Sequence, residues 1–129
     1  MSAGKTRASE REQAGDSALP VLDRAYLARF TFGNAALEQE VLGLFADQAP
    51  RYLDALASAQ DARAWKEAAH TLKGSAAAVG AKAVAHLAAC AERLATGEPG
   101  QLPDGPDRGQ AIAALEAAVA HAVRAIASP

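Results

Sequence analysis

Residues 70–81 read His70-Thr-Leu-Lys-Gly-Ser-Ala-Ala-Ala-Val-Gly80-Ala81, inside an alanine-rich stretch that begins near Asp61. Alanine and leucine favour the helix, whereas a glycine within a helix costs about 1 kcal/mol relative to alanine. Gly74 therefore breaks the local pattern one turn after a histidine and directly after Lys73. Local rules are often broken where function requires it. This glycine indicates a helix surface that is cleared for close approach to the imidazole.

The helix expected over residues 61–79 has two different sides when its residues are placed at about 100° intervals. The apolar side carries Trp65, Ala68, Ala69, Leu72, Ser75, Ala76 and Val79. The opposite side carries Arg63, Lys66, His70, Lys73, Gly74 and Ala77. We therefore expect His70 to face solvent, on a surface that is flat at the glycine and positive at the lysines.

The flanking sequence continues the helical periodicity and predicts an all-α protein. Residues 1–18 are polar and predict a disordered N-terminal tail, and residues 19–129 are expected to form one domain. Helix-capping residues predict three helix starts, at Asp23, Asn34 and Asp61. Two further helices are expected at about 81–96 and 107–127, on either side of a loop rich in proline and glycine.

Four substantial amphipathic helices with mostly short connections predict an antiparallel four-helix bundle, preceded by a short additional N-terminal helix that ends near Phe32. Pro50 lies within the long second helix and either kinks it near Asp47 or divides it. Gly80 is expected to end the helix that carries His70, as glycine commonly does just after a helix.

Composition excludes several classes of function. Thirteen Lys and Arg against fifteen Asp and Glu give a formal net charge of −2, which argues against binding nucleic acid by phosphate neutralisation. The single cysteine fits a reducing cytosol. Neither a signal peptide nor an apolar run of membrane-spanning length is recognisable, so a cytoplasmic location is expected. The histidine and cysteine residues are not clustered in the sequence, so a metal site is not expected.

The chemistry of His70 is that of an exposed nucleophile. A neutral imidazole can attack phosphorus near physiological pH, and Lys73, one turn away, could pair with the added negative charge. Nothing resembles a P-loop or a kinase glycine-rich loop, so the chain is not expected to bind ATP. The magnesium and the remaining positive charge that phosphoryl transfer requires would have to come from a partner.

The run from His70 to Ala81 resembles the signature of histidine-containing phosphotransfer (HPt) domains of bacterial two-component phosphorelays. The similarity spans roughly 19–127 and includes Phe45, Leu53, Ala68, Ala69, Leu87, Cys90, Glu92 and Leu94. It implies a bundle in which His70 accepts a phosphoryl group, through its ε nitrogen, from the receiver-domain aspartate of a hybrid histidine kinase. The group then passes to a response regulator. Lys73 would be the charge partner and Gly74 the clearance residue.

The resemblance also implies a phosphoryl carrier, not an enzyme, with no cofactor of its own and Mg²⁺ supplied by the partner receiver domain. We expect a monomer that contacts receiver domains, with candidate contacts at Lys66, Ala77, Arg63 and Lys82. The alternative is a non-catalytic docking module that binds and regulates receiver domains or a kinase without carrying phosphate.

One departure from a branch of the family is informative. In the chemotaxis kinases a second histidine and a glutamate hold the phosphoacceptor; here Ala89 stands at the histidine position and Glu92 at the glutamate position. The full network is therefore absent, which favours a relay intermediate over a chemotaxis-kinase fragment. The sequence leaves open whether Glu92 contacts His70.

Overall fold

The computed structural model describes residues 19–95 and 100–127. Five helices occur in these ranges: α1 (Arg24–Thr31), α2 (Ala35–Ala57), α3 (Ala62–Ala78), α4 (Lys82–Leu94) and α5 (Gly105–Ala127). The described residues form no strand, so the predicted all-α class is confirmed. The tail predicted at 1–18 lies outside the described residues.

Polar side chains fix the starts of the first three helices, at the predicted positions. Asp23, Asn34 and Asp61 each accept a hydrogen bond from the backbone amide three residues further on, those of Tyr26, Leu37 and Ala64. Each bond satisfies an N–H group that has no carbonyl partner within its helix. The three predicted caps are therefore confirmed.

The remaining helix boundaries differ slightly from those expected. α2 runs through Pro50 as a single helix, so the proline does not divide it. α4 ends at Leu94 instead of near residue 96. α5 begins at Gly105, earlier than expected. This early start is compatible with Pro106, because a proline in the first turn of a helix needs no hydrogen-bond partner.

Helices α2 to α5 form the bundle. α3 packs between α2 and α4, and α5 packs against the same two helices across the bundle. The largest fully buried side chains come from all four: Leu42, Phe45, Leu56, Trp65, Leu72, Val84 and Leu115. The predicted apolar side of α3 is buried apart from the half-buried Ser75. Burying that side turns the opposite side of α3, with His70, towards solvent.

Gly80 ends α3 as predicted. Its lack of a side chain also makes room for the backbone of Asp23, just before α1. Its φ is +81°, and a Cβ atom at this position would lie 2.7 Å from the Asp23 carbonyl oxygen. The Asp23 amide donates a 2.8 Å hydrogen bond to the Gly80 carbonyl. The start of α1 is thereby held against the turn between α3 and α4.

α5 is the one helix among residues 19–95 and 100–127 whose length and hydropathy would suit a membrane span. Its Leu115, Val119 and Ala122 are buried in the bundle. A helix in the core of a soluble protein passes the same test, so length and hydropathy are weak evidence for a span.

Candidate functional site

His70 lies in the middle of α3 and faces solvent, with 68% of its side chain exposed. It borders an open cavity of about 390 Å³ whose other lining residues are Lys66, Glu67, Thr71 and Glu92. The sequence-based prediction that the ring projects from the bundle therefore agrees with the structure. A second molecule can reach the imidazole without any movement of the bundle.

Glu92 connects His70 to Lys73. One carboxylate oxygen, Oε2, lies 3.1 Å from Nδ1 of His70. The other, Oε1, accepts a 2.8 Å hydrogen bond from the Lys73 ammonium. The contact between Glu92 and His70, which the sequence left open, is thus present.

The Glu92 carboxylate determines which ring nitrogen of His70 carries the proton. The pKa of Glu92 is lowered below its usual value, mainly by the hydrogen bond from Lys73. Burial raises this pKa and partly opposes the effect, and His70 lowers it further by a smaller amount. An ionised carboxylate only accepts hydrogen bonds, so we assign the ring proton to Nδ1. Nε2 then carries an unshared electron pair, which is what a nucleophile needs.

Gly74, one turn beyond His70, has no role in packing within the chain. A Cβ atom added there would have no neighbour within 4 Å, in contrast to Gly80. The backbone of α3 therefore lies directly beneath open solvent at this point. Ala77, the next residue of the same surface, is also exposed. The fold itself gives no reason for a glycine here.

The four candidate partner contacts lie in different environments. Lys66 borders the cavity beside His70. Arg63 forms an exposed ion pair with Glu67, at 3.2 Å. Lys82 forms a 3.0 Å ion pair with Asp23, and Ala77 remains open. The structure thus places Lys66 and Lys73 near His70, whereas Arg63 is paired with Glu67 and Lys82 with Asp23.

Two acidic residues reduce the positive charge that the sequence of α3 predicts for the surface around His70. Glu92 balances the charge of Lys73, and Glu67 balances that of Arg63. The surface expected to be positive is therefore largely compensated in the unphosphorylated protein. Glu67 is visible on the same face of α3, but the placement of Glu92 depends on how α4 is rotated against α3.

Among residues 19–95 and 100–127, no group of three or more His, Cys, Asp or Glu side chains is arranged to hold a metal ion. Cys90 is half-buried, with its Sγ atom accepting a hydrogen bond from Arg93 at 3.3 Å. It is therefore more open than a core cysteine.

The described residues thus form a helical bundle with an exposed imidazole in the middle of α3, whose Nδ1 lies 3.1 Å from a carboxylate oxygen. The sequence model of the Hpt domain family matches residues 40–125, more than half of the chain. This protein therefore belongs to the Hpt domain family. No curated protein and no solved structure matched the chain. Membership places it in two-component phosphorelays, where such domains carry phosphoryl groups and interact with receiver domains.

Proposed function

We propose that His70 accepts a phosphoryl group on Nε2 from the aspartyl phosphate of a hybrid-kinase receiver domain and delivers it to a response regulator. The observation that carries this proposal is the exposed imidazole, whose Nδ1 faces the Glu92 carboxylate at 3.1 Å. The chain would act in the cytoplasm, as a monomeric carrier that makes no phosphohistidine from ATP.

The chemistry follows from the tautomer. As Nε2 attacks, the new N–P bond forms while the P–O bond of the acyl phosphate breaks, and the aspartate leaves as a carboxylate. Nε2 has no proton to lose, so positive charge develops on the ring next to Glu92. That charge makes the imidazole a good leaving group when the phosphoryl group moves on. The same arrangement therefore serves acceptance and delivery.

Lys73 has a place in both states. In the unphosphorylated protein its ammonium pairs with Glu92 and limits the repulsion between that carboxylate and an incoming phosphate. After transfer, the phosphoryl oxygens compete for the ammonium, and charge-assisted hydrogen bonds of this type are strong. The remaining charge stabilisation, including Mg²⁺, would come from the acidic pocket of the receiver domain.

The docking surface would centre on the open backbone at Gly74 and the neighbouring Ala77. A groove between α2 and α3 begins one turn before Gly74, at Thr71, and its other lining residues are Tyr52, Ala55, Ala64, Glu67 and Ala68. Leu44, on the same side of α2 by helical spacing, is 55% exposed. An apolar centre with charged groups at its edge is the usual composition of a transient protein interface.

The direct test is labelling by a phosphorylated receiver domain. We expect an acid-labile, base-stable phosphoryl label on the wild-type protein and none on His70→Gln, with the bundle still folded by circular dichroism. His121→Gln, which changes an exposed histidine on α5, is the matched control and should retain the label. Label that survives His70→Gln would refute the assignment. Receiver binding without any label, unchanged in His70→Gln, would instead establish the docking-module alternative.

A further inference from the structure

Glu92 lies in the last turn of α4, where the backbone carbonyl groups have no partners within the helix. Helix α4 ends at Leu94, and the carbonyl groups of its final four residues lack the partners that a continuing helix would supply. The Ala95 amide bonds back to the Glu92 carbonyl, at 3.4 Å. The turn that holds the carboxylate next to His70 therefore depends on contacts from outside the helix.

Trp65 provides such a contact. Its indole N–H donates a buried 2.6 Å hydrogen bond to the carbonyl of Ala91, the residue that precedes Glu92. The indole is completely buried. Because Trp65 belongs to α3, this bond connects the helix that carries His70 directly to the last turn of α4.

The Trp65 indole also contacts the start of α5, through Arg108. The Arg108 guanidinium lies 5.3 Å from the centre of the Trp65 ring. The same guanidinium donates hydrogen bonds to the carbonyls of Ala57 and Ala59, at 2.8 and 2.9 Å. These contacts leave the indole little freedom to turn its N–H away from Ala91.

We propose that Trp65 is a positioning residue for phosphoryl transfer, which fixes the last turn of α4 so that Glu92 meets Nδ1 of His70. A shift of α4 by one residue moves a side chain by about 1.5 Å along the axis and about 100° around it. The 3.1 Å contact to His70 would not survive such a shift. The contribution of Trp65 to phosphoryl transfer rests on the proposed function. Its effect on which nitrogen of His70 carries the proton does not.

The test uses Trp65→Phe, which keeps an aromatic ring in the core and removes only the N–H donor and part of the volume. The readout is the pair of ¹⁵N chemical shifts of the His70 ring in the unphosphorylated full-length protein, assigned against His70→Gln. We expect the two shifts to move from the Nδ1–H pattern of the wild type towards those of Glu92→Ala, in which the acceptor is missing. Transfer from a phosphorylated receiver should slow in parallel.

Two controls separate positioning from general destabilisation. Leu115→Val perturbs an equally buried site on α5 and should leave the His70 shifts unchanged. Adding Trp65→Phe to Glu92→Ala should cause no further change, because Trp65 acts through Glu92. The inference would be overturned if the His70 shifts were unchanged in Trp65→Phe or changed equally in Leu115→Val. A further change on adding Trp65→Phe to Glu92→Ala would also overturn it. Absence of any phosphoryl label on the wild type would overturn the proposed function but not this result.

Discussion

The Lys73 ammonium and the Glu92 carboxylate form a 2.8 Å ion pair that joins α3 to α4 beside the exposed imidazole. Glu92 uses its other oxygen for His70, so a single carboxylate couples the charge of the lysine to the proton of the histidine. The side chains of Lys73 and Glu92 are 35% and 27% exposed, which leaves the pair accessible to a competing anion. A phosphoryl group on His70 would be such an anion.

Replacing Gly74 by alanine separates docking from stability. We expect Gly74→Ala to stabilise the helix by up to about 1 kcal/mol, because alanine is the better helix former and its methyl group would meet no neighbour. We also expect transfer from a receiver domain to slow, since the methyl group stands where the partner must approach. Urea unfolding and initial transfer rates measure the two effects.

Gly43→Ala is the matched control for this change. Gly43 lies in the middle of α2, and a Cβ atom there would also have no neighbour within 4 Å. It should gain similar stability with no loss of transfer. Equal transfer by both variants would show that clearance at Gly74 is unimportant.

Gly80→Ala should have the opposite effect on stability. A Cβ atom would be strained by the φ of +81° and would lie 2.7 Å from the Asp23 carbonyl oxygen. The start of α1 would have to move, so we expect a loss of about 2 kcal/mol or more in urea unfolding. Gly109→Ala, where added atoms have open space, is the comparison that should show no such loss. A fully stable Gly80→Ala protein would contradict the close approach of Asp23.

The stability of the bundle should fall in acid partly because of Glu92. Its pKa is lowered in the folded protein, chiefly by the hydrogen bond from Lys73. A carboxyl group of this kind contributes stability above its unfolded pKa, and that contribution is lost as the pH falls through the folded pKa. Glu92→Gln should therefore lose less stability than the wild type between pH 7 and pH 3.

Urea unfolding at several pH values measures this difference. Glu116→Gln removes an exposed carboxylate on α5 and should preserve the wild-type pH dependence. Asp23, whose pKa is also lowered, mainly by the Tyr26 amide, contributes in the same direction to every variant. Identical acid profiles for Glu92→Gln and the wild type would contradict the role of the ion pair.

The sequence predicts the helices and the exposed face of α3 well, because both follow from local rules. Asp23, Asn34 and Asp61 are recognisable caps, and the period of apolar residues in α3 places His70 opposite Trp65. The contact between Glu92 and His70 could not be predicted in this way. It depends on the rotation of α4 against α3, which tertiary contacts such as the hydrogen bond from Trp65 to Ala91 determine.

Removing the charge of Lys73 should weaken the carrier function without unfolding the bundle. In Lys73→Met, Glu92 loses the partner that chiefly lowers its pKa, and the phosphoryl group loses a cation one turn away. Because a hydrogen bond to a charged group contributes about 1.5–3 kcal/mol, we expect transfer to slow by about ten- to a hundredfold. Lys73→Arg retains the charge and should recover part of the rate. Arg124→Met, which removes an exposed charge on α5, should transfer at the wild-type rate, and an equally fast Lys73→Met protein would exclude a role for this ammonium.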